Sequence, residues 1–404
     1  MNAILHLKRI IFKLLAAILC LFILGEVNSH LLSPQSQLAI FAMLGLTLVF
    51  LKYPVHRRLE DLVFFKILDF ACIIAVVYCF GYVLIQTEPV FKRFWIDGQS
   101  LGNRAGMEDP KDYIIGLLGL FLVLEGARRA IGTTLPLLAL AFLLYAAFGQ
   151  SMPDWLFPHR GYPWQRIVSQ TFLHQGVFGI ALTVMFKYVF LFVLFGTVLE
   201  KTGATGYIIN FARRLFRSSV GGPAKVAVIS SGMMGSLSGS AVANTATTGT
   251  FTIPMMKSSG FKPSIAGGIE AAASSGGALV PPIMGAGAYM MLEIVEPAVT
   301  YLEIVKAALI PAVLYYMALL LIVHFYAGRI GAEVTSAAKE QTTDVLPKFQ
   351  GFIFFAAFIT LILFLVLGYT PFRAVSLSLL LILIVSAFSK QTRVSVRGVF
   401  EAME

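Results

Sequence analysis

Between residues 236 and 282 the chain sets oxygen-bearing side chains into a background of membrane-like hydrophobicity. Ser236, Ser238, Gly239, Ser240, Asn244, Thr247 and Thr248 come first, followed by Glu270, Ser274, Ser275, Gly276, Gly277, Pro281 and Pro282. Hydroxyl, amide and free carbonyl oxygens are the ligands that hard cations prefer. Ser238, Ser240, Asn244 and Gly276 are therefore candidates to hold a sodium ion, and a proton is the other candidate coupling ion. No other cofactor is expected. The bland alternative is close helix packing, because Gly235-x-x-x-Gly239 is a small-residue pattern open to any helix bundle.

Glu270 is a carboxylate inside an apolar stretch, which is costly and points to function by default. It reads as a proton site, as a structural partner of a lysine or hydroxyl, or as an interfacial group. Lys187 sits in the middle of a span. It either neutralises an anion or a carboxylate such as Glu270, or extends its stem to the membrane surface. Glu293 and Glu296 read as an outer rim.

Two elements must position these groups. Residues 224–259 begin at a basic site, Lys225, and leave at another, Lys257 and Lys262, so both ends face the cytoplasm. This pattern predicts a re-entrant hairpin with its tip near Ser238-Gly239-Ser240. Residues 263–295 form an apolar helix pattern broken across Gly276–Pro282. Pro282 suits the first turn of the second half-helix, whose N-terminus would favour a carboxylate-bearing solute. A simple proline kink is the alternative. Broken backbone at membrane depth is tolerated only inside protein or beside a polar cavity, and secondary transporters build their sites that way.

The composition agrees. The 404 residues are 58% hydrophobic and 13% charged, against about 45–50% and about 25% in soluble domains. This predicts an all-α polytopic membrane protein embedded in a lipid bilayer, with about nine spanning helices. The spans fall near 10–27, 35–51, 66–86, 113–127, 133–149, 176–200, 302–327, 350–368 and 372–389. Basic residues cluster after the second span (Lys52, Arg57, Arg58, Lys66), after the fourth (Arg128, Arg129) and after the sixth (Lys201, Arg213, Arg214, Arg217). That bias places the N-terminus in the cytoplasm, with the tail of Lys390, Arg393 and Arg397 also inside. The net charge of +10 is thus a topology signal and does not imply nucleic-acid binding. Loop 150–170, rich in Trp, Tyr and Pro, reads as an outer interfacial segment, and polar 329–348 as a cytoplasmic linker. Residues 1–130 read as a four-helix scaffold and 131–404 as the working part.

Enzyme chemistry finds no support. Cys20, Cys72 and Cys79 lie in apolar runs, and the six histidines have no ligand spacing. There is no phosphate-binding loop, nucleophile elbow or zinc-protease motif. Transport without ATP hydrolysis must draw on an ion gradient.

The stretches FLFVLFGTVLEKTGA (190–204), GGPAKVAVISSGMMGSLSGSAVANTATTGTFTIPMMKSSGF (221–261), IEAAASSGGALVPPIMGAGAYMM (269–291) and YLEIVKAALIPAVLYY (301–316) resemble the permease of TRAP transporters, the tripartite ATP-independent periplasmic family. The likeness is to the TAXI branch with fused subunits. The resemblance implies an elevator-type symporter of the bacterial inner membrane that works with a periplasmic substrate-binding protein. It implies small organic acids as substrates and sodium or protons as the driving ion. It assigns 1–130 to the small subunit and 131–404 to the first half of the large one. A second inverted repeat is absent from the sequence, so an incomplete fold is expected. A separate chain carrying that repeat is the companion expected, and a non-transporting fragment or scaffold is the alternative. Leu279 stands where relatives often carry a polar residue.

From the sequence, Asn244→Ala and Ser240→Ala are expected to weaken ion-dependent uptake without lowering expression. Reconstituted uptake across a series of ion gradients checks this, and unchanged coupling in both variants would misplace the cation site.

Overall fold

The computed structural model describes residues 2–56, 62–331, 348–389 and 392–403. The chain divides into two compact units, one ending at Phe186 and joined by Met403, the other running from Lys187 to Ala402. Among the described residues six helices are long and apolar enough to cross a membrane: His6–Ser29, Pro34–Lys52, Val63–Thr87, Ile180–Lys201, Tyr301–Arg329 and Phe349–Val366. Thr134–Ala147 and Pro371–Ala387 are shorter apolar helices. All nine expected spans coincide with helices, though not all have the length of a full crossing. Most of linker 329–348 lies outside the described residues, as do Arg57, Arg58 and Lys390.

The first unit holds α1 (Asn2–Ser29), α2 (Pro34–Lys52), α3 (Val63–Thr87), α4 (Pro110–Ala130), α5 (Thr134–Ala147) and the short α6 (Trp164–Val168). Proline opens α2 and α4, where its missing N–H costs nothing. At α4 a reciprocal cap adds to this: Asp109 accepts from the Lys111 amide, and the Asp109 amide donates to Asp112. The connection between α3 and α4 folds around Arg104. Its buried guanidinium donates to both Asp112 oxygens, at 3.0 and 3.1 Å, and to Gln86 Oε1 at 3.0 Å.

One residue before that cap, Glu108 gathers four donors. The Gly106 amide (3.0 Å), the Ser169 hydroxyl and His174 Nε2 (3.1 Å) reach Oε1, and the Tyr113 hydroxyl reaches Oε2 at 3.1 Å. Burial would raise the pKa of Glu108, but the Gly106 amide and the Ser169 and His174 side chains outweigh it and hold it at about 2.

The second unit begins within α7 (Ile180–Lys201), at a wide π turn over Met185–Val189. It continues through α8 (Ala204–Phe216), α9 (Gly222–Ser238), α10 (Ala241–Ser258), α11 (Pro263–Gly277), α12 (Ala286–Ile294), α13 (Tyr301–Arg329), α14 (Lys348–Val366), α15 (Pro371–Ala387) and α16 (Val396–Met403). Helices α9 and α10 are the expected hairpin. At 1.5 Å per residue they are about 25 and 27 Å long, just short of the ~30 Å hydrocarbon core. Gly239 closes α9 in the left-handed region (φ 59°), and the Ser240 hydroxyl caps α10 by accepting from the Ala243 amide at 3.3 Å.

Helices α11 and α12 are the expected discontinuous helix, but the break lies further along. Gly276 and Gly277 belong to the last turn of α11, residues 278–285 are non-helical, and α12 starts at Ala286 with Gly285 at its cap. Pro282 is thus not in the first turn of the second half-helix. Two consecutive prolines donate no N–H groups and push the preceding residue towards extended backbone, so the chain needs several residues to re-enter a helix.

Because the carboxyl of Glu108 is depressed in the folded state, its stabilising contribution is complete above the usual glutamate value of 4.5 and is lost as pH falls through about 2. All three tryptophans (95, 155 and 164) lie in the first unit and report its unfolding. Their fluorescence is expected to show acid destabilisation between these pH values, with a shallower slope in Glu108→Gln. An identical slope in the variant would remove Glu108 from the account.

Candidate functional site

The site grows from the backbone contact between α9 and α11. A Cβ on Gly235 would lie 2.1 Å from the Gly277 Cα, and one on Gly277 would lie 2.6 Å from the Gly235 Cα. Neither position admits a side chain, so the hairpin arm lies directly on the half-helix. The same closeness recurs at the tip, where a Cβ on Gly239 would meet the Met284 carbonyl oxygen at 2.5 Å. The hairpin tip therefore abuts the 278–285 break.

That contact encloses Glu270, which is fully buried. Its Oε1 accepts from the Ser231 hydroxyl (2.9 Å), the Thr248 hydroxyl and the Ser274 hydroxyl (3.1 Å), while Oε2 accepts from Thr252 at 2.6 Å. The donors come from α9, α10 and α11 itself. Asn244 extends the network, with Nδ2 donating to the Ser231 carbonyl at 2.7 Å. A carboxylate away from water must be compensated by hydrogen bonds, and here the three helices supply them jointly. The hydroxyls around Glu270 suit a structural partner and a proton site alike, and its full burial sets it apart from an interfacial group. Lys187 does not serve it: its ammonium lies 3.8 Å from Glu293.

The remaining candidates divide by position. Thr248 and Ser274 belong to the Glu270 cage. Ser236 is buried and bonds the Met233 carbonyl, and Thr247 bonds the Ala243 carbonyl, each within its own helix. Ser238 and Ser240 meet across the tip at 3.4 Å, with Ser240 exposed. Ser275 is exposed and bonds the Ala271 carbonyl. Gly276 is buried, and a Cβ there would strike the Tyr315 ring at 2.2 Å. Of the four positions considered for sodium, Asn244 is engaged inside the cage, whereas Ser238 and Ser240 stand at the tip. Asn244→Ala also removes a hydrogen bond to the Ser231 carbonyl, and Ser240→Ala also removes the α10 cap.

Aromatic residues unmarked by the sequence reading hold the break open. The Tyr301 hydroxyl donates to the Pro282 carbonyl and lies 3.2 Å from the Tyr289 hydroxyl. The two rings stack at 5.4 Å, and Phe192 packs on both, at 4.9 and 5.7 Å. On the other side, Tyr315 and Tyr316 donate to the Ala272 and Ala273 carbonyls at 2.8 and 2.6 Å. Ser231 and Thr252 were also missed. Their signal was present, since Thr248/Thr252 and Glu270/Ser274 are i, i+4 pairs that each share a helix face. Gly285 brings no side-chain cap to α12; the Ala288 amide bonds the Gly285 carbonyl at 3.0 Å, and the Ala286 and Gly287 amides are the ones an outside acceptor would meet.

Comparison with known proteins matches residues 118–404 to the family described as the tripartite ATP-independent periplasmic transporter, DctM component. The chain is 33% identical over 151 residues to the sialic acid TRAP transporter permease protein of Haemophilus influenzae, covering 37% of this chain and 24% of that one. It is 30% identical over 140 residues to the sialic acid TRAP transporter large permease protein of Vibrio cholerae, covering 35% and 32%. It is 37% identical over 92 residues to the 2,3-diketo-L-gulonate TRAP transporter large permease protein of Escherichia coli, covering 23% and 21%. The chain spans less than half the length of the curated relatives it matches.

Hydrogen bonds to a charged group contribute about 1.5–3 kcal/mol each. Glu270→Gln is expected to lower stability by about 2 kcal/mol, and Thr252→Val by less. Because the two share a bond, the double variant is expected to fall short of the sum by about 1 kcal/mol. Thermal unfolding in detergent measures the cycle, and strict additivity would deny the coupling.

Proposed function

The chain belongs to the DctM component family of tripartite ATP-independent periplasmic transporters, and on that premise we propose that it imports small organic acids by cation symport. It is a transport protein of the membrane and not an enzyme. The observation that carries the proposal is the hairpin tip seated against the break, next to the uncapped start of α12. A half-helix N-terminus attracts a carboxylate, and the oxygens of the tip suit a hard cation or a proton relay. Solute and driving ion would then meet at one place, which is the physical basis of coupling.

The wider reading rests on the same premise. The permease would sit in a bacterial inner membrane with its N-terminus in the cytoplasm, receiving solute from a periplasmic binding protein. The site described here has one hairpin and one broken helix. A solute enclosed between inverted repeats needs a second pair facing the first, so the proposal includes a companion segment or chain that supplies it. Membership of the TAXI branch and the fusion of small and large subunits are parts of this proposal.

Uptake into proteoliposomes tests it. With a binding protein and a companion repeat present, accumulation of a carboxylate is expected only under an inward sodium or proton gradient, with Ser240→Ala reducing the ion dependence. Accumulation that ignores both gradients, or none with the full set of partners, would reject symport.

A further inference from the structure

In the first unit, α4, α5, α6 and the residues on either side of α6 line a groove of about 660 Å³. Leu120 and Leu124 of α4 and Phe142 and Leu143 of α5 form its floor, while Tyr162 and Arg166 stand at one end. The floor extends along α5 for two turns, from Ala139 to Ala146, about 10 Å at 1.5 Å per residue.

The polar end is built rather than incidental. The Arg166 guanidinium lies 5.2 Å from the centre of the Tyr162 ring, and the Arg160 guanidinium 5.6 Å from the same centre. Two cations thus flank one aromatic ring, Arg166 within the groove lining and Arg160 outside it. Among the described residues neither guanidinium meets a carboxylate. The loop that presents them is tied down. The Tyr162 amide donates to the Ala146 carbonyl at 2.9 Å, the Tyr145 hydroxyl to the Phe157 carbonyl at 2.8 Å, and the Gln150 amide group to the Arg160 carbonyl at 2.7 Å. Trp155 and Phe157 on the same loop are 76% and 82% exposed, and Trp164 is 44% exposed. Exposed aromatic rings of this kind anchor at the membrane–water interface, which sets the depth of the two arginines at that of lipid headgroups.

We propose that this groove holds one anionic phospholipid, with an acyl chain along Leu120, Leu124, Phe142 and Leu143 and the phosphate at Arg166 beside Tyr162, with Arg160 adding positive charge from the same ring. Three separate features choose this occupant. The apolar floor excludes a small soluble anion. The uncompensated pair of guanidinia calls for negative charge. The aromatic rim places that charge at the bilayer surface. The bound lipid would cover the cleft between α4 and α5 and fix the loop that connects α5 to α6.

Native mass spectrometry of the full chain tests this, using dioleoyl phosphatidylglycerol against dioleoyl phosphatidylcholine, which carry the same tails. One retained phosphatidylglycerol per chain is expected, preferred over phosphatidylcholine. Each arginine facing an anionic headgroup is worth about fivefold in affinity, so Arg160→Gln with Arg166→Gln is expected to erase the preference while Arg166→Lys retains most of it. Ala139→Trp, which fills the floor, is expected to lower retention of both lipids with helicity unchanged. Glycerol phosphate alone is expected not to bind. Equal retention of the two lipids, equal retention by the double glutamine variant, or binding of glycerol phosphate as tight as that of the lipid would each overturn the proposal. So would a double variant that keeps the lipid but loses affinity for a periplasmic binding protein, because the arginines would then form a protein-docking surface.

Discussion

A carboxylate sealed away from water is the constraint on which the second unit is organised. Glu270 has no solvent, so its oxygens take their compensation from Ser231, Thr248, Thr252 and Ser274. Those hydroxyls sit on both hairpin arms and on α11, so none of the three can shift without leaving a buried carboxyl group short of partners. The result is a single block in which hairpin and half-helix are fixed together.

Close backbone contact lets the cage form. The α9 arm approaches α11 at Gly235 and Gly277, where a methyl group on either side would overlap the opposing Cα. With the helices this close, short hydroxyl side chains can span the gap. At the far end the balance changes from small residues to large ones. Tyr301, Tyr289 and Phe192 fill the space beneath the break, and the Tyr301 hydroxyl satisfies the Pro282 carbonyl. Irregular backbone at membrane depth is stable only when its polar groups are satisfied by protein in this way.

The first unit is built by different means. Charged pairs hold its connections, with Arg104 on Asp112 and Arg129 on Asp69 and Glu125. Its carboxyl held by two hydroxyls, Glu108, draws on Tyr113 and Ser169 among the described residues and lies in a connection rather than within a helix. The units divide at Phe186 rather than at residue 130, and the family match over 118–404 begins within the first and covers the second.

The sequence alone determined the class of the protein, the positions of its helices, the hairpin with its turn at Gly239 and the existence of a broken helix. These follow from apolar run length and from Gly and Pro, whose effects are local and need no partner. It also marked Glu270 as unusual. Only the tertiary structure decided what holds Glu270, because Ser231, Thr248 and Thr252 reach it from helices whose packing no local pattern encodes. It decided that Gly276 and Gly277 serve close contact while Pro281 and Pro282 make the break, since both pairs read alike as interruptions along the chain. It gave Lys187 to Glu293, and it recruited Tyr301 from a segment that reads as ordinary span. Propensity and hydropathy are properties of single segments, whereas the satisfaction of a buried polar group belongs to the assembly of several.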